Sequence, residues 1–157
     1  MVTKVTKKLN LRNYDGFTDL SKDQKERVKE EVGNFVKESI LNFVGEAKSP
    51  VTGRQFKGLT KDYKKRKGKL SSAKIANLEL TGDMLDSLEF EQYRDGIEIG
   101  IFDEQQAQKA DNHCKFSAAS KKTPLPPRKF IPTKDEKFTS RIETEVQKII
   151  REAYGEN

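Results

Sequence analysis

The sequence predicts an α+β domain: a small antiparallel β-sheet built on a central hairpin, packed by two long amphipathic helices, with long flexible loops. Three observations predict it. Apolar residues recur at steps of three and four in two separated stretches, residues 28–44 and 138–153. Between them, Leu88 and Phe90 alternate with Glu89 and Glu91, and Ile97, Ile99 and Ile101 alternate with Glu98 and Gly100. Asp95-Gly96 separates the two alternating runs, and both positions tolerate the positive φ that tight hairpin turns need.

Each element has local chemistry behind it. The first helix is expected to open at Ser21, because Gln24 three residues later completes a capping box. Its stripe is Val28, Val32, Phe35, Val36, Ile40, Phe43 and Val44, and Gly45 followed by Ser49-Pro50 ends it. The C-terminal helix is expected to open at Thr133, with Glu136 as the third helical residue. Its stripe runs Phe138, Ile142, Val146, Ile149, Ile150 and Ala153, and Gly155 lies just past its end. A lone hairpin is marginally stable in water, so the helices are expected to cover it, with an extra strand drawn from residues 5–12. Shorter helical turns are expected after Thr60, after Thr81 through Ser87, and after Asp103, where Gln106 supports a cap through about Lys109. The chain reads as one domain, residues 1–157, with 1–17, 45–60 and 112–132 extended or flexible.

Composition sets the partners. Hydrophobic residues make up 33% and charged residues 36%, and the mean hydropathy is -0.86, so the core should be thin and much of the chain turned to solvent or partners. Nine Phe and four Tyr argue against outright disorder. The net charge of +6 favours nucleic acid, an acidic protein surface or anionic lipid without choosing among them. A single cysteine, Cys114, forbids an internal disulfide. No apolar run resembles a signal peptide, and none approaches the roughly 18 residues of a membrane span, so a soluble protein with no membrane partner is expected.

A search for catalytic chemistry finds little. His113 is the single histidine and Cys114 is its direct neighbour, whereas nucleophilic dyads draw their members from separated elements. The pair lacks further ligands at zinc spacing, although Asp111 is near in sequence. Gly53-Arg54-Gln55-Phe56-Lys57-Gly58 has the glycines of a phosphate loop, but Leu59-Thr60 stands where the phosphate-reaching lysine belongs. No catalytic, cofactor or metal residues are therefore assigned, and no enzyme activity is expected.

Two charge clusters are more informative. Residues 61–69 carry Lys61, Lys64, Lys65, Arg66, Lys67 and Lys69 against Asp62, with Tyr63 interleaved, a density suited to phosphates or to an acidic protein face. Glu89, Glu91 and Glu98 should share one exposed sheet face. In a ring, head-to-tail contacts would bring one subunit's basic loop to the next subunit's acidic face. Farther on, Thr123-Pro124-Leu125-Pro126-Pro127-Arg128-Lys129-Phe130-Ile131-Pro132 is stiffened by four prolines, with Phe130 and Ile131 expected to anchor it in the core.

Taken in order, several of these stretches resemble the phage virion-morphogenesis family of Mu-like phages, which is related to tail-completion proteins. They are Ser49-Pro50-Val51-Thr52-Gly53 leading to Phe56-Lys57-Gly58-Leu59 and Tyr63-Lys64-Lys65-Arg66-Lys67; the stretch Ala76-Asn77-Leu78-Glu79-Leu80-Thr81-Gly82-Asp83-Met84-Leu85-Asp86-Ser87-Leu88; Gly96-Ile97-Glu98-Ile99-Gly100-Ile101-Phe102; Lys109-Ala110-Asp111-Asn112-His113; and Pro127-Arg128-Lys129-Phe130-Ile131-Pro132. The resemblance spans roughly residues 20–153, with Thr81, Gly82, Pro127, Arg128 and Phe130 as candidate structural motif positions. It implies an α+β subunit that forms a homo-oligomeric ring, hexamer or dodecamer, at the neck or tail end. Connector, adaptor and tail proteins would be its partners, packaged DNA a non-specific contact, and the host cytoplasm its location before assembly. It implies no catalytic residues. The competing reading is a small basic nucleic-acid-binding protein acting through residues 61–69, which predicts tight and steeply salt-dependent binding.

Overall fold

The computed structural model describes residues 3–55, 82–114 and 129–155, and within it the chain is α+β. The predicted cap starts α1, Lys22–Gly45: the Ser21 hydroxyl accepts from the Gln24 N–H, and the Gln24 side chain accepts in return from the Ser21 N–H. Val28, Val32, Val36, Ile40 and Val44 are fully buried along one stripe, and Phe35 and Phe43 flank it half-buried.

The predicted additional strand is β1, Val5–Asn10, and the hairpin is β2, Leu88–Tyr93, with β3, Gly96–Ile101. The sheet is antiparallel in the order β1-β3-β2, which places the most apolar strand in the centre. The register pairs Leu88, Phe90 and Gln92 with Ile101, Ile99 and Ile97, and sets Val5, Lys7 and Leu9 on the other side of β3. This is the face that α1 covers, where the Phe90 ring lies so close to Gly33 that a Cβ there would stand 2.2 Å from it. Any larger residue at position 33 would force the half-buried Phe90 ring, or the helix, to move.

The hairpin turn lies one residue earlier than the Asp95-Gly96 reading. Tyr93 pairs with Gly96, so Arg94 and Asp95 form the loop, and neither adopts a left-handed backbone. Gly96 serves a different purpose. A Cβ on it would sit 1.9 Å from the Leu9 carbonyl oxygen, so the absence of a side chain is what lets β1 close against β3. The Asp95 carbonyl then accepts from the Leu11 N–H at 2.8 Å, tying the loop to the end of β1.

A short helix α2, Gly82–Asp86, precedes β2, and α3, Glu104–Cys114, follows β3. The Asp103 carboxylate accepts from the Gln106 N–H at 2.9 Å, as expected, but α3 continues past the expected end near Lys109. His113 and Cys114, in the stretch 112–132 expected to be extended or flexible, are helical residues of α3.

The C-terminal helix α4, Ser140–Gly155, starts seven positions after the expected Thr133 cap. Thr133 and Glu136 do bond reciprocally, at 3.1 Å in each direction, but they close only a turn. Tertiary partners hold the following residues out of helical geometry. Lys7 donates to the carbonyls of Thr133 and Lys134 at 2.9 and 3.1 Å, and Lys129 pairs with Glu136 at 2.6 Å. The Thr139 N–H donates to the Pro50 carbonyl at 2.8 Å. Phe138 is buried ahead of the helix, and Ile142, Val146 and Ile150 are buried along it. α4 packs on α1 and on the turn Phe17–Asp19.

Parts of two segments expected to be extended or flexible, residues 11–17 and 46–55, fold into turns. Residues 11–17 form consecutive turns with Leu11 and Phe17 in the core, and Gln147 brackets Asp15 by bonding both its N–H and its carbonyl. Tyr14 donates to Glu143; burial, then that carboxylate, raises the phenol above its usual range. Residues 46–55 fold back in a tight loop with a bridge between Lys48 and Gln55. Its centre is Ser49, only 3% exposed, whose hydroxyl accepts from the Val51 and Thr52 N–H groups at 3.1 Å and donates to the Lys129 carbonyl at 2.5 Å.

Candidate functional site

The register settles the placement of the acidic residues. Glu91 pairs directly with Glu98, and Glu89 opposes Gly100, so all three share the sheet face away from α1, together with Thr6 and Lys8 of β1. Their environments differ. Glu89 and Glu91 are exposed on the edge strand. Glu98, in the central strand, has a side chain only 12% exposed, with the Lys4 ammonium at 2.8 Å and the Thr6 hydroxyl at 2.6 Å. Burial alone would raise its pKa. The hydrogen bonds from Lys4 and Thr6 and the charges of Lys4 and Lys8 outweigh it and hold the carboxyl below the ordinary glutamate value. The expected acidic face is thus corrected in one member. Glu98 is matched within its own chain, because β1 brings cations beside it, and the outward negative charge rests on Glu89 and Glu91.

The motif residues fall on both sides of what is described. Phe130 is fully buried, Ile131 is 2% exposed, and both anchor the segment as expected. Gly82 opens α2. Lys61, Lys64, Lys65, Arg66, Lys67 and Lys69, together with Thr81, Pro127 and Arg128 and the expected helical turn after Thr60, lie outside the described residues.

Sequence reasoning missed a second basic feature. A cleft of about 610 Å³ opens between the first turns of α1, the turns after β1 and the hairpin loop. Lys22, Lys25 and Lys29 line it from α1, Arg12 from the first turn, and Arg94 from the hairpin; Glu26 and Asp95 add two carboxylates. Lys25 lies over the Phe17 ring, 5.7 Å from its centre, and Arg12 reaches Asp95 at 3.9 Å. Lys29 is only 8% exposed, and its ammonium donates to the Tyr93 carbonyl at 3.1 Å with no carboxylate within ion-pair distance among the described residues. The helical half was visible as lysines at steps of three and four in residues 22–29. The contributions of Arg12 and Arg94 depend on the β1–β3 register and have no local signal.

A larger groove of about 840 Å³ runs between the end of α1, the 46–55 loop and the start of α4, with Phe35, Phe43 and Arg141 in its wall. Among the described residues no group of three or more His, Cys, Asp and Glu is placed to hold a metal ion. No helix among them is long and apolar enough to cross a membrane. Comparison of the chain with protein-family models, with curated proteins and with solved structures finds no match.

Proposed function

We propose that this chain is a structural virion protein of a tailed bacteriophage, a neck or tail-completion subunit that joins or terminates the tail at the head–tail connector by assembling into a ring. One observation carries most weight beside the ordered motifs. The first and last of those motifs, separated by 80 positions, are in direct contact: the Ser49 hydroxyl donates to the Lys129 carbonyl, and Pro50 accepts from Thr139 at the entrance to α4. Among the described residues of the other stretches, Met84, Leu88, Ile97, Ile99, Ile101 and Ala110 share the buried core with Phe130 and Ile131. The exposed Glu89 and Glu91 on an edge strand, with a basic cleft elsewhere on the surface, supply opposite charges for subunit contacts. The reading assigns the protein no catalytic role.

Withdrawal of the protein during phage growth tests it. The expected result is DNA-filled heads and separate tails that fail to join, with infectivity restored by the purified chain. Normal yields of joined, infectious particles without the chain would refute it. A second reading, a basic nucleic-acid-binding protein acting through Lys61–Lys69, is favoured by the net charge of +6 and by the additional cations around Lys29.

A further inference from the structure

We propose that the cleft around Lys29 is the receptor half of a head-to-tail contact, and that it takes the Glu89 and Glu91 stretch of β2 from a second copy of this chain. The proposal deepens the assembly reading and rests on it.

Lys29 is the starting point. The residue is 8% exposed and its ammonium bonds the Tyr93 carbonyl, while Glu26 and Asp95 line the same cleft without reaching ion-pair distance of it; a cation held in this way gains from a further carboxylate. Four further cations surround it, drawn from three chain segments, and the positive end of the α1 dipole adds to their field. Such a concentration of cations attracts carboxylate or phosphate oxygens. The two carboxylates in the same cleft decide between them. Glu26 and Asp95 would meet a phosphate backbone with like charge, whereas a protein surface carrying both signs can satisfy them.

The sheet face opposite α1 is such a surface. Glu89 and Glu91 are exposed, have no ion-pair partner among the described residues, and stand roughly 7 Å apart along one edge strand. Lys8 shares that face and would meet Glu26 or Asp95. The cleft belongs to α1 and the hairpin loop, and the two glutamates to the sheet face away from α1. The proposed contact is heterologous, and repeats from one subunit to the next as a ring requires.

Sedimentation of the full chain at low and high salt tests this with two surface variants, each checked for an unchanged melting temperature. One carries Lys22→Glu with Arg94→Glu in the cleft, the other Glu89→Lys with Glu91→Lys on the strand. Wild type should self-associate, more weakly as salt rises, and each variant alone should lose about tenfold or more in association constant. An equimolar mixture of the two variants should associate again, since each reversed surface then meets its complement. Wild type monomeric in every condition, variants that associate like wild type, or a mixture that fails to recover would each overturn the contact. So would a cleft variant that loses duplex-DNA binding while self-association is unchanged. If wild-type rings persist in both variants, this contact fails while the assembly reading stands.

Discussion

Glu98 and Lys29 each carry a charge into the fold, on opposite sides of the same sheet, and the fold treats them differently. Glu98 receives an ammonium at 2.8 Å and a hydroxyl at 2.6 Å from the neighbouring strand. Lys29 receives one backbone carbonyl at 3.1 Å. The first arrangement is complete within the chain, so removing it should weaken the fold. The second leaves a cation with no ion pair among the described residues, in a cleft where five cations face the two carboxylates of Glu26 and Asp95, so a partner's carboxylates would complete it. The difference separates charge that stabilises the subunit from charge held for another surface.

The most severe way to break that comparison is to remove the sheet that separates the two groups. Gly96→Val would drive a side chain into the Leu9 carbonyl and prise β1, with Lys4 and Thr6, away from Glu98. Overpacking against backbone should cost about 3 kcal/mol or more. Urea unfolding should show the midpoint collapse, and an unchanged midpoint would refute the β1–β3 register.

Glu98→Gln tests the paired side alone. With Lys4 half-exposed, the loss should be about 1 kcal/mol. The same variant has a pH signature. The folded pKa of Glu98 is lowered, so its contribution is fully present above the ordinary value of 4.5 and is lost as pH falls through the lower folded value. Glu136, lowered chiefly by Lys129, acts in the same direction. Wild type should therefore lose stability as pH drops below about 4.5, and Glu98→Gln should show a shallower acid limb. An acid limb of unchanged slope would show that Glu98 is not matched in solution.

The smallest effect is expected at the unpaired side. Lys29→Met keeps the aliphatic stem and removes the buried charge, so stability should stay within about 1 kcal/mol of wild type or rise. Thermal unfolding decides it: a large loss would make Lys29 a structural cation of the monomer and remove the reason to look for its partner outside.

Much of the architecture was legible because it is locally encoded. Ser21 and Gln24 cap α1 as their spacing demands, and the alternation from Leu88 to Ile101 gives both hairpin strands. The same capping pair at Thr133 and Glu136 closes a turn but starts no helix, because Lys7, Lys129 and Pro50 hold that stretch from outside it. Asp95-Gly96 failed as a turn for a similar reason: β1 needs the bare Gly96 backbone in the strand. At the candidate site, the shared face of Glu89, Glu91 and Glu98 followed from a period of two, but the pairing of Glu98 did not. It depends on which strand lies beside β3, as does the meeting of Arg12 and Arg94 with Lys29.

The proposed role, a ring subunit at the head–tail joint, is tested by electron cryo-microscopy of purified particles of the kind the chain is proposed to complete. The expected result is a closed ring of this chain at the neck, with β2 of each subunit against the Lys29 cleft of the next. Complete, infectious particles that contain no copy of the chain would contradict it.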